Sequence, residues 1–338
     1  MLHLFSANQR DALTATRKGE TKAGEKITLL SSLEELGDIS SPFVLIGLKE
    51  DIGIRANLGQ AGAANAWDYA LPSLLNVQEN RFFSGSNLCI AGSLDFSDLM
   101  QEAENLKPTN DKELERLREL TAEMDEIVSA VVEKVVSSGK TPILIGGGHN
   151  NAFGNIKGTS QALSRPLNIL NIDPHTDYRA EEGRHSGNGF RYARSGKFME
   201  RYAVFGLHEG YNSENVLKDF DHNPELNYLT YESLLTQTFE EKDRHFKNVL
   251  QWLGTGSAGL ELDLDALSYF PVSALNPSGF TLTEVRHYIR TASALKQPAY
   301  FHICEGSPGR AHSENERQLL GKSIAYLITD FIKSYGQA

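Results

Sequence analysis

Three stretches of this chain carry possible metal ligands at tight spacing. LNILNIDPHTDYRA, from Leu167 to Ala180, runs from apolar residues into Asp173, His175 and Asp177. LELDLDAL, from Leu260, carries Asp263 and Asp265, and TPILIGGGHNNAFGN, from Thr141, delivers His149 after three glycines. In extended backbone, residues two apart point to the same face, so each pair or trio of ligands converges. Four Asp carboxylates sharing one dry pocket would repel, because an uncompensated buried charge costs several kcal/mol. Two divalent cations would cancel the charge of these four Asp residues, with the two imidazoles as neutral ligands. Carboxylate and imidazole donors without thiolate suit Mn2+, with Fe2+, Co2+, Ni2+ or Zn2+ as alternatives. Taken singly, each piece has an ordinary reading: DxD often caps a loop, and GGGH can be a phosphate-cradling turn, although no complete phosphate-loop pattern surrounds it. Together they predict a dinuclear centre, whose chemistry is to bind and acidify water between two cations.

Such a centre needs strands that end side by side. Apolar runs begin at Phe43 (FVLIGL), Asn87 (NLCIAG), Thr141 (TPILIGG), Leu167 (LNILNID), Ala203 (AVFGL), Ala258 (AGLELDLDAL) and Ala299 (AYFHICEG), and each reads as a buried parallel strand. Between them lie helical patterns. The longest, DKELERLRELTAEMDEIVSAVVEKVVSSG from Asp111, keeps its apolar residues on one stripe and ends at Gly139. TLTEVRHYIRTASAL opens with Thr281 three residues before Glu284, the spacing of a capping box. This alternation predicts an α/β fold, a single domain over 1–338 with a mostly parallel sheet and right-handed crossovers. In such sheets sites form beyond the carboxyl ends of the strands, where all three ligand clusters fall. The first 35 or so residues read as a peripheral extension.

Net charge is −11, which disfavours nucleic acid and anionic membrane surfaces as partners. No apolar run reaches the roughly 20 residues that span a bilayer. The N-terminus lacks an apolar signal core. Cys89 and Cys304 fit neither a disulfide framework nor a CxxC metal site. The expectation is a soluble, cytoplasmic protein in a reducing compartment. Cys304 is expected to pack on the strand face away from Glu305. His208, His245, His287 and His302 have no motif partners and read as surface or core residues.

GGGHNNAFGN, NIDPHTDYRA and LELDLDAL, in that order, resemble the three signature segments of the arginase-like ureohydrolase superfamily, normally GGDHS, DAHxD and SxDxD. The resemblance runs from about Leu45 to the C-terminus. It implies a three-layer α/β/α sandwich around a sheet of about eight strands, two Mn2+ per chain, and hydrolysis of C–N bonds at amidine or guanidinium carbons. Matched by position, His149, Asp173, Asp177 and Asp263 would hold one Mn2+, and Asp173, His175, Asp263 and Asp265 the other. Asp177 would also shuttle the proton, and Glu305, in FHICEGSP, would pair with the substrate cation. Gly148 and Glu261 depart from the usual Asp and Ser, at positions that are not ligands. Members of the superfamily form homo-oligomers, which is implied here too.

Around the substrate tail the chain departs from arginases. Phe190 stands in HSGNGF where they carry a histidine, Tyr211 where they carry an Asp, and Arg179 where they carry an Asn. These departures weaken free arginine as the substrate. EGRHSGNGF, GGGHNN and IGLKEDIGIRANLGQAGA are similar to the formimidoylglutamase branch, whose substrate, N-formimidoyl-L-glutamate, has one cation and two carboxylates. Arg179, Arg184 and Arg191, with Ser186 and Asn188, are the expected contacts to that di-acid tail, because guanidinium forks match carboxylates. Arg55 and Asn57 could line the same rim. Agmatinase, arginase or guanidino-acid hydrolase activity are the alternatives, together with a non-catalytic metal-binding protein that keeps the fold.

Overall fold

The computed structural model describes residues 2–256 and 258–337. Its frame is one sheet built from β1 (Leu2–Leu4), β2 (Thr28–Leu29), β3 (Phe43–Leu48), β4 (Leu88–Leu94), β5 (Thr141–Ile145), β6 (Leu167–Ile172), β7 (Met199–Leu207), β8 (Leu226–Thr230), β9 (Ala258–Asp263) and β10 (Tyr300–Cys304). The order is β1-β4-β3-β5-β10-β9-β6-β7-β8, with β2 beside β4. The strands from β3 to β10 form the parallel sheet of eight. The N-terminal segment adds two short strands at its edge, β1 antiparallel and β2 parallel, and buries Phe5, Ala23, Ile27 and Leu30. The strand at Leu226, with only its first residue buried, carries too weak an apolar signal to be read from sequence.

Alternation divides each strand between two packed layers. Phe301 and Ile303 of β10 face helices 282–296 and 314–334, while Tyr300 faces the side covered by helices 111–137 and 151–163. Helix 111–137 starts at Asn110, whose side chain caps the amides of Lys112 and Glu113. Helix 282–296 has the expected capping box of Thr281 and Glu284. The two layers are the sandwich, and no described helix is long and apolar enough to cross a membrane.

The strand order positions the site. β5, β10, β9 and β6 are neighbours at the centre of the sheet. The loops after them carry His149, Glu305, Asp265 and Asp173, so segments far apart in sequence meet at one carboxyl-end crevice.

Candidate metal centre

His149 follows a turn made possible by Gly146 and Gly147, both with positive φ. A Cβ at Gly147 would meet Asn151 Nδ2 at 2.4 Å and Glu50 Oε1 at 2.6 Å. Glu50, fully buried, fastens this turn: its Oε1 accepts from the Gly148 amide (3.0 Å) and from the side chains of Asn150 (3.2 Å) and Asn151. A side chain at 148 would collide with Asn150 Oδ1, 2.5 Å from the Cβ position, which accounts for the glycine.

His149 Nδ1 lies 2.9 Å from Asp177 Oδ2, 3.1 Å from Asp173 Oδ2 and 3.4 Å from Asp263 Oδ2. None of these contacts is aligned as a hydrogen bond, so both ring nitrogens are buried without a partner. A lone pair and three carboxylates converging on one point without hydrogen bonding are the donor set of a cation. These four residues form one group able to hold a metal, with ligand atoms within 4.8 Å of one another, and His175, Asp263 and Asp265 form a second. Asp263 belongs to both. Asp173 turns Oδ2 to His149 and Oδ1 to His175, 3.4 Å away. All six predicted ligands therefore meet, and the residues present fit two cations sharing two carboxylates.

Without cations the electrostatics are unfavourable. Burial and then the Asp173 charge push Asp177 up and Asp263 to about 6. Asp265 is raised well above the carboxylate range by burial and Asp263, and Glu305 to about 8 by the same two causes. Asp173 goes the other way: burial opposes its ionisation, but the adjacent His149 and His175 imidazoles outweigh it. His175 rises to about 9 because Asp173 overcomes its burial. Several like charges in one dry site are relieved either by protons or by metal.

Glu305 stands over this floor. Its Oε1 accepts from the His149 amide at 2.7 Å, and its Oε2 accepts from the Ser273 hydroxyl. Asp177 and Glu305 both hold left-handed backbone, φ 43° and 61°, a strain that surrounding contacts must support. A cavity of about 540 Å³ opens onto Asp177, Asp263, Asp265 and Glu305, with Asn57, Arg179, Ser186 and Ser213 on its wall. Tyr211 stacks on His175, ring centres 5.4 Å apart, as an aromatic side wall.

Three of the five expected tail contacts are used elsewhere. Arg184 is buried in an ion pair with Asp125 (Nε to Oδ2, 2.7 Å), sits over the Phe153 and Tyr192 rings, and donates to the Asn150 carbonyl. Asn188 donates to the carbonyls of Ala180 and Gly183 and accepts from Arg184. Arg191 covers the Tyr178 ring and pairs with Asp219, outside the cavity. Arg179 and Ser186 do line it, with Arg179 donating to Asn57 Oδ1 at 2.7 Å. Arg55 turns away to the Leu106 carbonyl. Phe190 packs edge-on against His149 and stacks on Tyr202, so it supports the ligand and does not reach substrate.

One expectation for β10 is overturned and one holds. Cys304 pairs in register with Asp263 and shares the face of the metal cluster, its sulfur among the ligand atoms around His149. His302 is the core residue expected, buried with its Nδ1 2.6 Å from Glu261. Its partner is set by the register of β10 on β9, which pairs His302 with Glu261.

The arginase family model matches residues 41–329. The chain belongs to the arginase family. A formimidoylglutamase of Streptococcus pyogenes is 26% identical over 298 residues, spanning 85% of this chain and 84% of that protein. The fold matches that of a Trypanosoma cruzi formiminoglutamase solved with two Mn2+, at a TM-score of 0.71 and 19% identity over 93% of this chain and 98% of that one. It also matches a Bacillus subtilis formimidoylglutamase, at 0.73 and 17% over 95% and 94%.

Proposed function

We propose that this arginase-family chain is a dinuclear manganese hydrolase that converts N-formimidoyl-L-glutamate and water into glutamate and formamide. The observation that carries the reading is the polarity of the cavity: carboxylates line its floor, and Arg179 with neutral donors lines its wall. A ligand with a cationic amidine at one end and carboxylates at the other fits that order. The Streptococcus pyogenes relative, a formimidoylglutamase, supports the same substrate. His149, Asp173, Asp177 and Asp263 would hold one Mn2+, and Asp173, His175, Asp263 and Asp265 the other. Bound there, the pair supplies Lewis-acid activation of water and of the amidine.

The protein's own groups do the rest. Glu305 accepts N–H bonds from the planar amidinium and holds its carbon over the floor. Asp177 takes the proton that water loses and returns it to the departing glutamate nitrogen. Ser273 and the His149 amide keep Glu305 aimed. Arg179, Asn57 and Ser186 receive the tail. The chain's net charge of −11 supports an enzyme without nucleic-acid or anionic-membrane partners.

The test is turnover of N-formimidoyl-L-glutamate, arginine, agmatine and guanidino acids, each offered separately to the Mn2+-loaded protein. The proposal expects the first to be preferred by the largest margin in kcat/KM; preference for a guanidino compound would replace the substrate and keep the hydrolase.

A further inference from the structure

Directly below the metal floor, two central strands bury a complementary pair. Glu261 of β9 and His302 of β10 are register partners and wholly inaccessible to solvent. Glu261 Oε1 accepts from the Tyr300 hydroxyl at 2.7 Å, and its Oε2 lies 2.6 Å from His302 Nδ1. His302 Nε2 faces the Gly146 carbonyl at 3.2 Å. Both ring nitrogens of His302 thus have oxygen partners, and the ring is held between two strands and the turn before His149. Neither side chain lines the cavity.

The group that Glu261 faces next is His149, whose Nε2 is 3.5 Å from Glu261 Oε2. The opposite nitrogen, Nδ1, is the one turned to Asp173, Asp177 and Asp263. An imidazole that binds a cation through Nδ1 carries its hydrogen on Nε2, and a buried N–H needs an acceptor. The Cys304 thiol, also close to His149, is directed to the Leu262 carbonyl, which leaves Glu261 as the charged acceptor.

We infer that Glu261, clamped by Tyr300 and His302, is a positioning residue that fixes His149 in the tautomer and orientation that bind a cation through Nδ1. This rests on the dinuclear reading above. It also gives a role to a residue that stands where the family's signature segment normally has Ser.

The experiment titrates metal-stripped full-length protein with MnCl2, following free Mn2+ by its electron paramagnetic resonance signal. It compares wild type, Glu261→Gln, and the double variant Glu261→Leu/His302→Phe, which removes the buried pair together and so leaves no lone charge to unfold the strand. Melting curves accompany each titration. Wild type should bind two Mn2+. In both variants one site should weaken by about 10–100-fold, as loss of a partner behind a metal ligand typically does, while the site of His175 and Asp265 holds. A folded double variant that binds both ions with wild-type affinity overturns the inference and leaves the dinuclear centre standing. A wild type that binds fewer than two overturns both.

Discussion

The backbone amide of His149 donates to Glu305 Oε1 at 2.7 Å, so a candidate metal ligand and the carboxylate above it share one bond. Removing the Glu305 charge should therefore weaken substrate capture without emptying the metal site. For Glu305→Gln, kcat/KM is expected to fall by about 10–100-fold, the equivalent of one charged hydrogen bond at about 1.5–3 kcal/mol. Mn2+ content should stay at the wild-type value, as metal analysis after gel filtration will show.

The raised carboxylates predict a pH dependence of stability with a definite sign. Asp263 at about 6 and Glu305 at about 8 bind protons in the folded, metal-free protein at pH values where the unfolded chain has released them. The folded state therefore binds more protons, and stability falls as pH rises from about 4 through 8. His175, raised to about 9, acts in the same direction, its contribution being complete below about 6.5 and lost through 9. Thermal melts of metal-stripped protein should drop between pH 5 and 8, and saturating Mn2+ should remove most of that slope. A flat metal-free profile would contradict the charge cluster.

Arg184 and Asp125 make a buried pair that also reaches the Asn150 carbonyl beside His149. Arg184→Met strands a buried carboxylate, so unfolding free energy should decrease by about 3–5 kcal/mol. Denaturant titration measures the loss. KM of the protein that remains folded should be unchanged, because Arg184 does not line the cavity.

Arg179 gives the opposite pattern. Its side chain is about half exposed and its salt bridge to Glu182 is a surface pair, worth little to folding. Arg179→Ala should leave the melting temperature within a degree or two of wild type, since surface substitutions change stability by about 0.5 kcal/mol or less. It should raise KM for formimidoylglutamate by roughly tenfold, the worth of one charged hydrogen bond to a carboxylate. Steady-state kinetics beside a melt separate the two effects.

The clustering of the candidate ligands was legible because each segment is local: Asp173, His175 and Asp177 lie within five residues, and strand geometry alone makes them converge. The central strands were legible for a similar reason, being apolar throughout. Arg184 and Arg191 illustrate what local sequence cannot convey. Guanidinium groups beside a site look like ligands for an anion, but Asp125 and Asp219, 59 and 28 residues distant, claim them first. Glu50 and His302 were hidden likewise, since their partners Gly148 and Glu261 lie on other strands or loops and are revealed only by the sheet order. Cys304 lies two residues from His302 and so on the same strand face, but that this face meets Asp263 follows only from the register of β10 on β9.

The central claim is that two cations on this floor hydrolyse an amidine. The most direct measurement is formamide release from N-formimidoyl-L-glutamate by metal-stripped protein before and after Mn2+ is restored, with Asp263→Asn in parallel. Release that depends on Mn2+ and disappears in Asp263→Asn is the predicted result, because Asp263 belongs to both ligand groups. Release that continues in the metal-stripped protein, or that survives in Asp263→Asn, would contradict it.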